Sequence, residues 1–100
     1  MKLWIDDVRS APAGYYWVRS VSEAKRIICD PVVNQDFPIE IIDIDHDAGV
    51  YAQQGGDYIK LLDWLEETGR NYPIRIHSMN VVGRMNMEAI CRRNGWTIVE

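Results

Sequence analysis

The chain has 100 residues, with 11 basic and 15 acidic side chains and a formal net charge of −4. That length suits one domain spanning 1–100 with a working core and little to spare. The acidic balance gives no global field to draw in nucleic acid, and no basic stripe with interleaved aromatics argues for RNA. No apolar run nears the ~20 residues of a membrane span, and the start Met-Lys-Leu-Trp-Ile-Asp-Asp lacks an apolar leader region. Cys29 and Cys91 have no metal-ligand spacing and read as reduced core thiols of a cytoplasmic protein.

In chain order, the first strand is expected at about 2–5, followed by a loop at 8–15 that contains Pro12 and Gly14. A second strand at Tyr16–Arg19 leads into Ser20-Val21-Ser22-Glu23, the capping-box spacing that starts a helix. Its apolar stripe is Val21, Ala24, Ile27 and Ile28, and Asp30-Pro31 ends it. A loop runs through Pro38 to a third strand at about 39–44, and a glycine-containing loop, Ala48–Gly56, leads to a helix over 57–68. There Tyr58, Leu61, Leu62 and Leu65 share one face, and Gly69 stops the helix. The fourth strand is expected at 74–78. The last helix, at 81–93, is expected to turn Val82, Met85, Ala89 and Ile90 inward, with Gly95 as its terminal glycine and Trp96–Val99 as a short final strand. Strand–helix alternation with short links means an α/β fold with a parallel sheet.

Lys2, Glu40 and Arg75 interrupt the apolar strands, whereas parallel strands covered on both faces are apolar throughout. One sheet face therefore reads as only partly covered. Val8, Pro12, Tyr15 and Tyr16 of the loop are placed across it, and self-association into a homodimer through that face is the other reading.

Three apolar runs end in reactive residues: Leu3-Trp4-Ile5 in Asp6-Asp7, Ile39–Ile42 in Asp43-Ile44-Asp45-His46-Asp47, and Ile74-Arg75-Ile76 in His77-Ser78-Met79-Asn80. Ligand sites of open parallel sheets lie beyond the carboxyl ends of the strands. Asp6, Asp7 and Asp45 converge if the first and third strands are neighbours. Two unit charges about 5 Å apart repel by roughly 3 kcal/mol at an effective dielectric near 20. A divalent cation, a retained proton or the Arg9 and Arg84 guanidinium groups would offset this. Oxygen ligands favour Mg²⁺, Mn²⁺ or Ca²⁺, with Mg²⁺ usual beside phosphate. The alternative has Asp7 capping the loop and Asp6 in water.

His46 and His77 suit proton transfer in phosphoester cleavage, because imidazole titrates near neutrality. If His77 shares the face of Arg75, its role is structural instead. Asn80 or Ser78 caps the last helix, whose free amides suit phosphate oxygens. Arg84 in the first helical turn has no dipole reason to be there and pairs well with phosphate. Arg9 follows the same logic less strongly, since a bridge to Asp6 also accounts for it. The four tryptophans and Met85 and Met87 read as packing, and Gln53-Gln54-Gly55-Gly56 as a loop before a helix.

Leu3-Trp4-Ile5-Asp6-Asp7-Val8-Arg9, Asp45-His46-Asp47-Ala48-Gly49, Gly56-Asp57-Tyr58 and His77-Ser78-Met79-Asn80-Val81-Val82-Gly83-Arg84 occur in that order. In these motifs the chain resembles the cyclic-phosphate processing receiver family, an offshoot of the response-regulator receiver fold. The resemblance implies a flavodoxin-like five-stranded sheet of order 2-1-3-4-5 with a reduced set of helices. It implies processing of cyclic phosphate ends or related phosphoesters, in RNA repair or conflict systems, on a small phosphoester or a nucleic-acid terminal phosphate. By likeness to receivers, Asp6 and Asp7 sit where a divalent metal such as Mg²⁺ or Mn²⁺ is held. Asp45 sits where a phosphoryl group is accepted, and Ser78 where a hydroxyl contacts it. The expected fifth strand ends at Val99-Glu100 without the receivers' lysine, which argues against phosphorelay switching. The expected function is a metal-assisted phosphoesterase with metal on Asp6, Asp7 and Asp45, proton transfer by His77 and His46, and phosphate held by Arg84, Ser78, Asn80 and Arg9. In a variant of it, Asp45 is the nucleophile. The competing reading is a degenerate receiver that binds a ligand or partner without catalysis.

Overall fold

A computed structural model of the chain describes all 100 residues. Four strands, β1 (Lys2–Ile5), β2 (Tyr15–Val18), β3 (Ile41–Ile44) and β4 (Ile74–Ile76), form one parallel sheet of order β2-β1-β3-β4. The helices are α1 (Val21–Ile28), α2 (Pro31–Asp36), α3 (Ile59–Glu67) and α4 (Val81–Asn94), with a 3₁₀ turn at Gly49–Gln53.

The expected fifth strand is absent. Trp96–Val99 touches the sheet through one parallel bridge, Ile98 to Ile74. Ile74 N–H donates to Thr97 O at 2.9 Å and Val99 N–H to Ile74 O at 2.8 Å. No hydrogen bond joins Ile76 to Val99, so the ladder never extends far enough to define a strand. A second departure is α2, which lies in the stretch expected to be loop. Pro31 occupies its first turn, where a missing N–H costs nothing, and Asp30 caps it by accepting from Val32 and Val33 N–H. The helix buries no residue and spans only six, too few for an apolar stripe to show.

Leu3 and Ile5 of β1, Ile42 and Ile44 of β3, and Ile74 and Ile76 of β4 face one side of the sheet. They meet Val21, Ala24 and Ile28 of α1, Leu61, Leu62 and Leu65 of α3, and Met87, Ile90 and Cys91 of α4. Each such large side chain, fully buried, stabilises by about 1.5–3 kcal/mol. All three core-packing helices therefore lie on one face. The alternate residues point the other way and stand in register: Trp17 beside Trp4, Trp4 beside Asp43, Asp43 beside Arg75. No helix covers that side, as the polar interruptions of the strands implied. The β1–β2 loop is drawn toward it by Trp4 Nε1, which donates to Arg9 O at 2.9 Å.

The helix signals work largely as written. Ser20 Oγ accepts from Glu23 N–H, but Glu23 reaches back to Arg19 N–H rather than closing the box on Ser20. Gly69 and Gly95 take positive φ, 66° and 69°, just past α3 and α4. The inward face of α4 is Gly83, Met87, Ile90 and Cys91, while Val82, Met85 and Ala89, expected inward with Ile90, are exposed. Gly83 contributes no hydrophobicity, so the sequence pattern sets the phase wrongly. Cys29 is exposed at the end of α1, not a core thiol, and Cys91 is buried; both are free.

Candidate metal and phosphate site

The register that aligns β1, β3 and β4 also brings their carboxyl ends together. Asp6 follows Ile5, Asp45 follows Ile44 and His77 follows Ile76, and Ile5, Ile44 and Ile76 are consecutive partners across the sheet. Carboxylate oxygens of Asp6 and Asp45 and a ring nitrogen of His77 all lie within 4.8 Å of one another.

Asp6 is fully buried, and each oxygen is satisfied. Its Oδ1 accepts from Val8 and Arg9 N–H at 2.9 Å each, and Oδ2 sits 2.9 Å from His77 Nε2. Burial alone would raise this carboxyl. The two loop amides and His77 outweigh that, and the net direction is below the usual carboxylate range. Trp17 Nε1 donates to Asp6 O at 2.8 Å and fixes the backbone here.

His77 lies on the face of Arg75, two residues before it, as strand alternation requires. Its Nδ1 is 2.7 Å from Asp43 Oδ1, and Arg75 donates to Asp43 Oδ2 at 2.9 Å. The imidazole stacks flat on Trp4, centroids 3.9 Å apart at 3°. Burial would depress His77. The hydrogen bonds to Asp43 and Asp6 and the negative charge of Asp43 and Asp45 overcome it, so the net direction is upward. Arg75–Asp43–His77–Asp6 is thus a continuous polar chain that crosses from the edge strand to the strand end. Buried charges persist only when paired and hydrogen-bonded in this way.

Asp45 Oδ1 accepts from His46 N–H at 2.8 Å. The Asp7 carboxylate turns toward Gly49, where a Cβ would lie 2.5 Å from its Oδ2, so glycine at φ 55° leaves it room. Burial first, then the charges of Asp6 and Asp45, push Asp7 upward. The neighbouring carboxylates thus add to an effect that burial leads, and the Asp7 carboxylate is not among the donors that lie within 4.8 Å of one another, which are those of Asp6, Asp45 and His77.

His46 sits one residue further out. Its Nδ1 is 2.9 Å from Asp47 Oδ1 and 3.5 Å from Asn80 Nδ2, and Nε2 has no protein partner. The loop that carries it is anchored by Tyr58 N–H to His46 O (3.0 Å) and by Ala48 N–H to Asp57 Oδ1 (3.0 Å). Tyr58 in turn is buried and donates its hydroxyl to Arg19 O at 2.7 Å. The His46 ring also rests on α4 at Gly83.

Asn80 caps α4, its Oδ1 accepting from Gly83 N–H at 2.9 Å, and buried Ser78 Oγ accepts from Asn80 N–H at 3.1 Å. Arg84 bridges to Glu88 one turn along α4, Nε to Oε1 3.0 Å. Arg9 contributes its backbone to Asp6, and its guanidinium reaches His77 O at 3.5 Å. The Gln53-Gln54 stretch is tied down by Ser22 N–H donating to Gln54 O.

Asp43, Asp47, Trp4 and Gly83 stand in the strand-end runs and motifs of the sequence without an expected role, and Arg75 was expected to interrupt a strand and to mark the face on which His77 would be structural. The available signal was the parity of β3 and β4. An acid at Asp43 and a base at Arg75, both inside apolar strands, mark a buried cross-strand pair.

A family model for the cyclic-phosphate processing receiver domain matches residues 1–93. The chain belongs to that family. Comparison with curated proteins and with solved structures gave no match. The receiver-like sheet of this domain thus has four strands in the order 2-1-3-4. The donors of this cyclic-phosphate processing receiver domain fit a divalent cation: two carboxylates and an imidazole within reach of one centre, with an excess of negative charge around them. No helix of the domain is long and apolar enough to cross a membrane.

Proposed function

We propose that this domain is a metal-assisted phosphoesterase that acts on a cyclic phosphate or a related small phosphoester. The observation that carries the reading is the meeting of Asp6, Asp45 and His77 at the carboxyl ends of three adjacent parallel strands. A divalent cation bound by Asp6 and Asp45 would polarise a phosphoryl oxygen and neutralise charge that develops on it. Asp7, crowded by both carboxylates, is relieved by the same neutralisation.

The remaining roles follow from what each side chain is free to do. Opening a cyclic phosphate requires one group to take a proton from water and one to protonate the leaving oxygen. His77 has both ring nitrogens engaged, whereas His46 has one nitrogen oriented by Asp47 and the other without a protein partner. His46 therefore takes the proton from water at its free nitrogen, and the imidazolium so formed returns that proton to the leaving oxygen. The N-terminus of α4 supplies the phosphate grip. Asn80 satisfies Gly83, which leaves the Val81 and Val82 amides directed outward with the positive end of a 14-residue helix. Arg84, one turn in, exchanges its exposed Glu88 contact for a substrate phosphate, and Ser78 keeps the turn in shape.

Incubation with 2′,3′-cyclic nucleotides and Mn²⁺ or Mg²⁺ tests the reading. Turnover should appear, and Asp45→Asn or His46→Ala should lower it by about 10²-fold or more. Absence of turnover with both metals, or turnover unaffected by both substitutions, removes the proposal.

A second reading, a non-catalytic domain that binds a ligand or partner, is favoured by one feature. Met79, Val81, Val82 and Met85 are 80, 69, 69 and 62 % exposed around the start of α4, an unusual run of apolar side chains in water. Tight calorimetric binding of cyclic nucleotide without product would support it.

A further inference from the structure

We propose that His77 is a nitrogen ligand, through Nε2, of a divalent first-row transition-metal ion held with Asp6 and Asp45, and that Asp43, braced by Arg75, fixes the tautomer this requires. The proposal rests on the metal-binding part of the proposed function and replaces proton transfer as the role of His77.

Asp43 Oδ2 is committed to Arg75 at 2.9 Å and Oδ1 to His77 Nδ1 at 2.7 Å. A paired carboxylate only accepts, so without metal both ring nitrogens carry hydrogens, Nδ1 toward Asp43 and Nε2 toward Asp6; a cation held by Asp6 and Asp45 would displace the Nε2 proton, and Asp43 would keep the hydrogen on Nδ1. The flat stack on Trp4 at 3.9 Å leaves the ring little rotation. Nε2 is thereby aimed at the Asp6–Asp45 group. A metal-binding histidine typically donates its other N–H to a carboxylate, which fixes the ring and raises its basicity. Asp43 is placed for that role.

Distance agrees. Two ligands on adjacent corners of an octahedron, with bonds of about 2.1 Å, stand about 3.0 Å apart. His77 Nε2 and Asp6 Oδ2 are 2.9 Å apart, and all three donor atoms fall within 4.8 Å. The ring is only 7 % exposed, which suits a ligand better than a group that must reach water and substrate.

The donor set also bears on the metal. Mg²⁺ and Ca²⁺ favour oxygen alone, whereas one imidazole with two carboxylates suits Mn²⁺, Fe²⁺ or Zn²⁺.

Pulsed electron paramagnetic resonance on the Mn²⁺-loaded protein reads the ligation without reference to turnover. Wild type should show ¹⁴N coupling, and it should persist in His46→Gln. His77→Gln should lose the coupling and bind Mn²⁺ at least tenfold more weakly. Asp43→Asn should keep the coupling but weaken Mn²⁺ binding about 10–100-fold, the usual effect of removing an orienting partner. A Zn²⁺ titration of ¹⁵N-histidine-labelled wild type needs no variant, and it should shift His77 Nε2 while Nδ1 stays protonated. Bound Mn²⁺ without nitrogen coupling, coupling unchanged in His77→Gln, no Mn²⁺ binding, or an unmoved Nε2 overturns the proposal. Nitrogen coupling without turnover would sink the esterase and leave the ligand assignment standing.

Discussion

Gly83→Ala isolates the contact between α4 and the His46 loop. Gly83 sits in the first turn of a helix, and its φ is not positive. In an unobstructed helix the exchange would therefore stabilise by roughly 0.5–1 kcal/mol. Here a Cβ would lie 2.5 Å from Cδ2 and Cγ of His46 and 2.9 Å from its Nδ1. Cγ is not the loose end of a side chain. The ring is held by Asp47, and the backbone behind it by Tyr58 N–H, so relief requires the loop or the helix to shift. Overpacking of this kind costs typically 1–3 kcal/mol, and set against the helix gain it predicts a net loss of up to about 2.5 kcal/mol. For a domain this size, one kcal/mol moves the melting point by about 4–8 °C. Thermal unfolding by circular dichroism should therefore show a fall of several degrees. The His46 imidazole resonances should move at the same time. Asn86→Ala, at an exposed site on the same helix, serves as the control and should be neutral or slightly stabilising. A Gly83→Ala protein as stable as wild type, with unmoved His46 signals, refutes the packing argument.

Three further outcomes follow from the site in its metal-free form, measured in chelator. The folded His77 binds its proton more tightly than the unfolded residue, so its contribution is complete below the unfolded value of about 6.5 and is lost as pH rises through the raised value. Wild-type stability should fall over that alkaline side relative to His77→Gln, and parallel curves would contradict it. Asp7 is raised by burial and by its acidic neighbours, so its ionised form opposes folding once pH exceeds the usual carboxylate range. Asp7→Asn should raise the melting temperature at pH 7, and a lower one would contradict the crowding. With a thiol reagent at neutral pH, exposed Cys29 should react quickly. Buried Cys91, pushed up to about 11 chiefly by burial, should react only on unfolding. Equal rates would place Cys91 at the surface.

The sheet was readable because its runs are short, β-branched and separated by glycine, proline or capping residues. Strand parity then decides which end residues share a face. The failures have physical causes. Trp96-Thr97-Ile98-Val99 has strand composition, but composition does not reveal that pairing stops after one bridge. Six-residue α2 depends on Asp30 and Pro31 rather than on burial, so no stripe announces it. The phase of α4 turns on Gly83, which buries backbone against a ring and adds nothing to a hydrophobic pattern. In the site, Asp6, Asp45, His46 and His77 were visible as terminal residues of strands. The pairing of Asp43 was not, because its partners Arg75 and His77 lie 32 and 34 residues away and only the β3–β4 register brings them together. The same register decides that His77 is pinned between two carboxylates while His46 keeps a free nitrogen.

Crystals of the protein loaded with Mn²⁺, with the ion located by anomalous scattering, show whether the strand ends hold a cation. One dominant peak is expected at the carboxyl ends of β1, β3 and β4, within about 2.5 Å of carboxylate oxygens from both Asp6 and Asp45. A peak that avoids these two residues, or no peak at millimolar Mn²⁺, contradicts it.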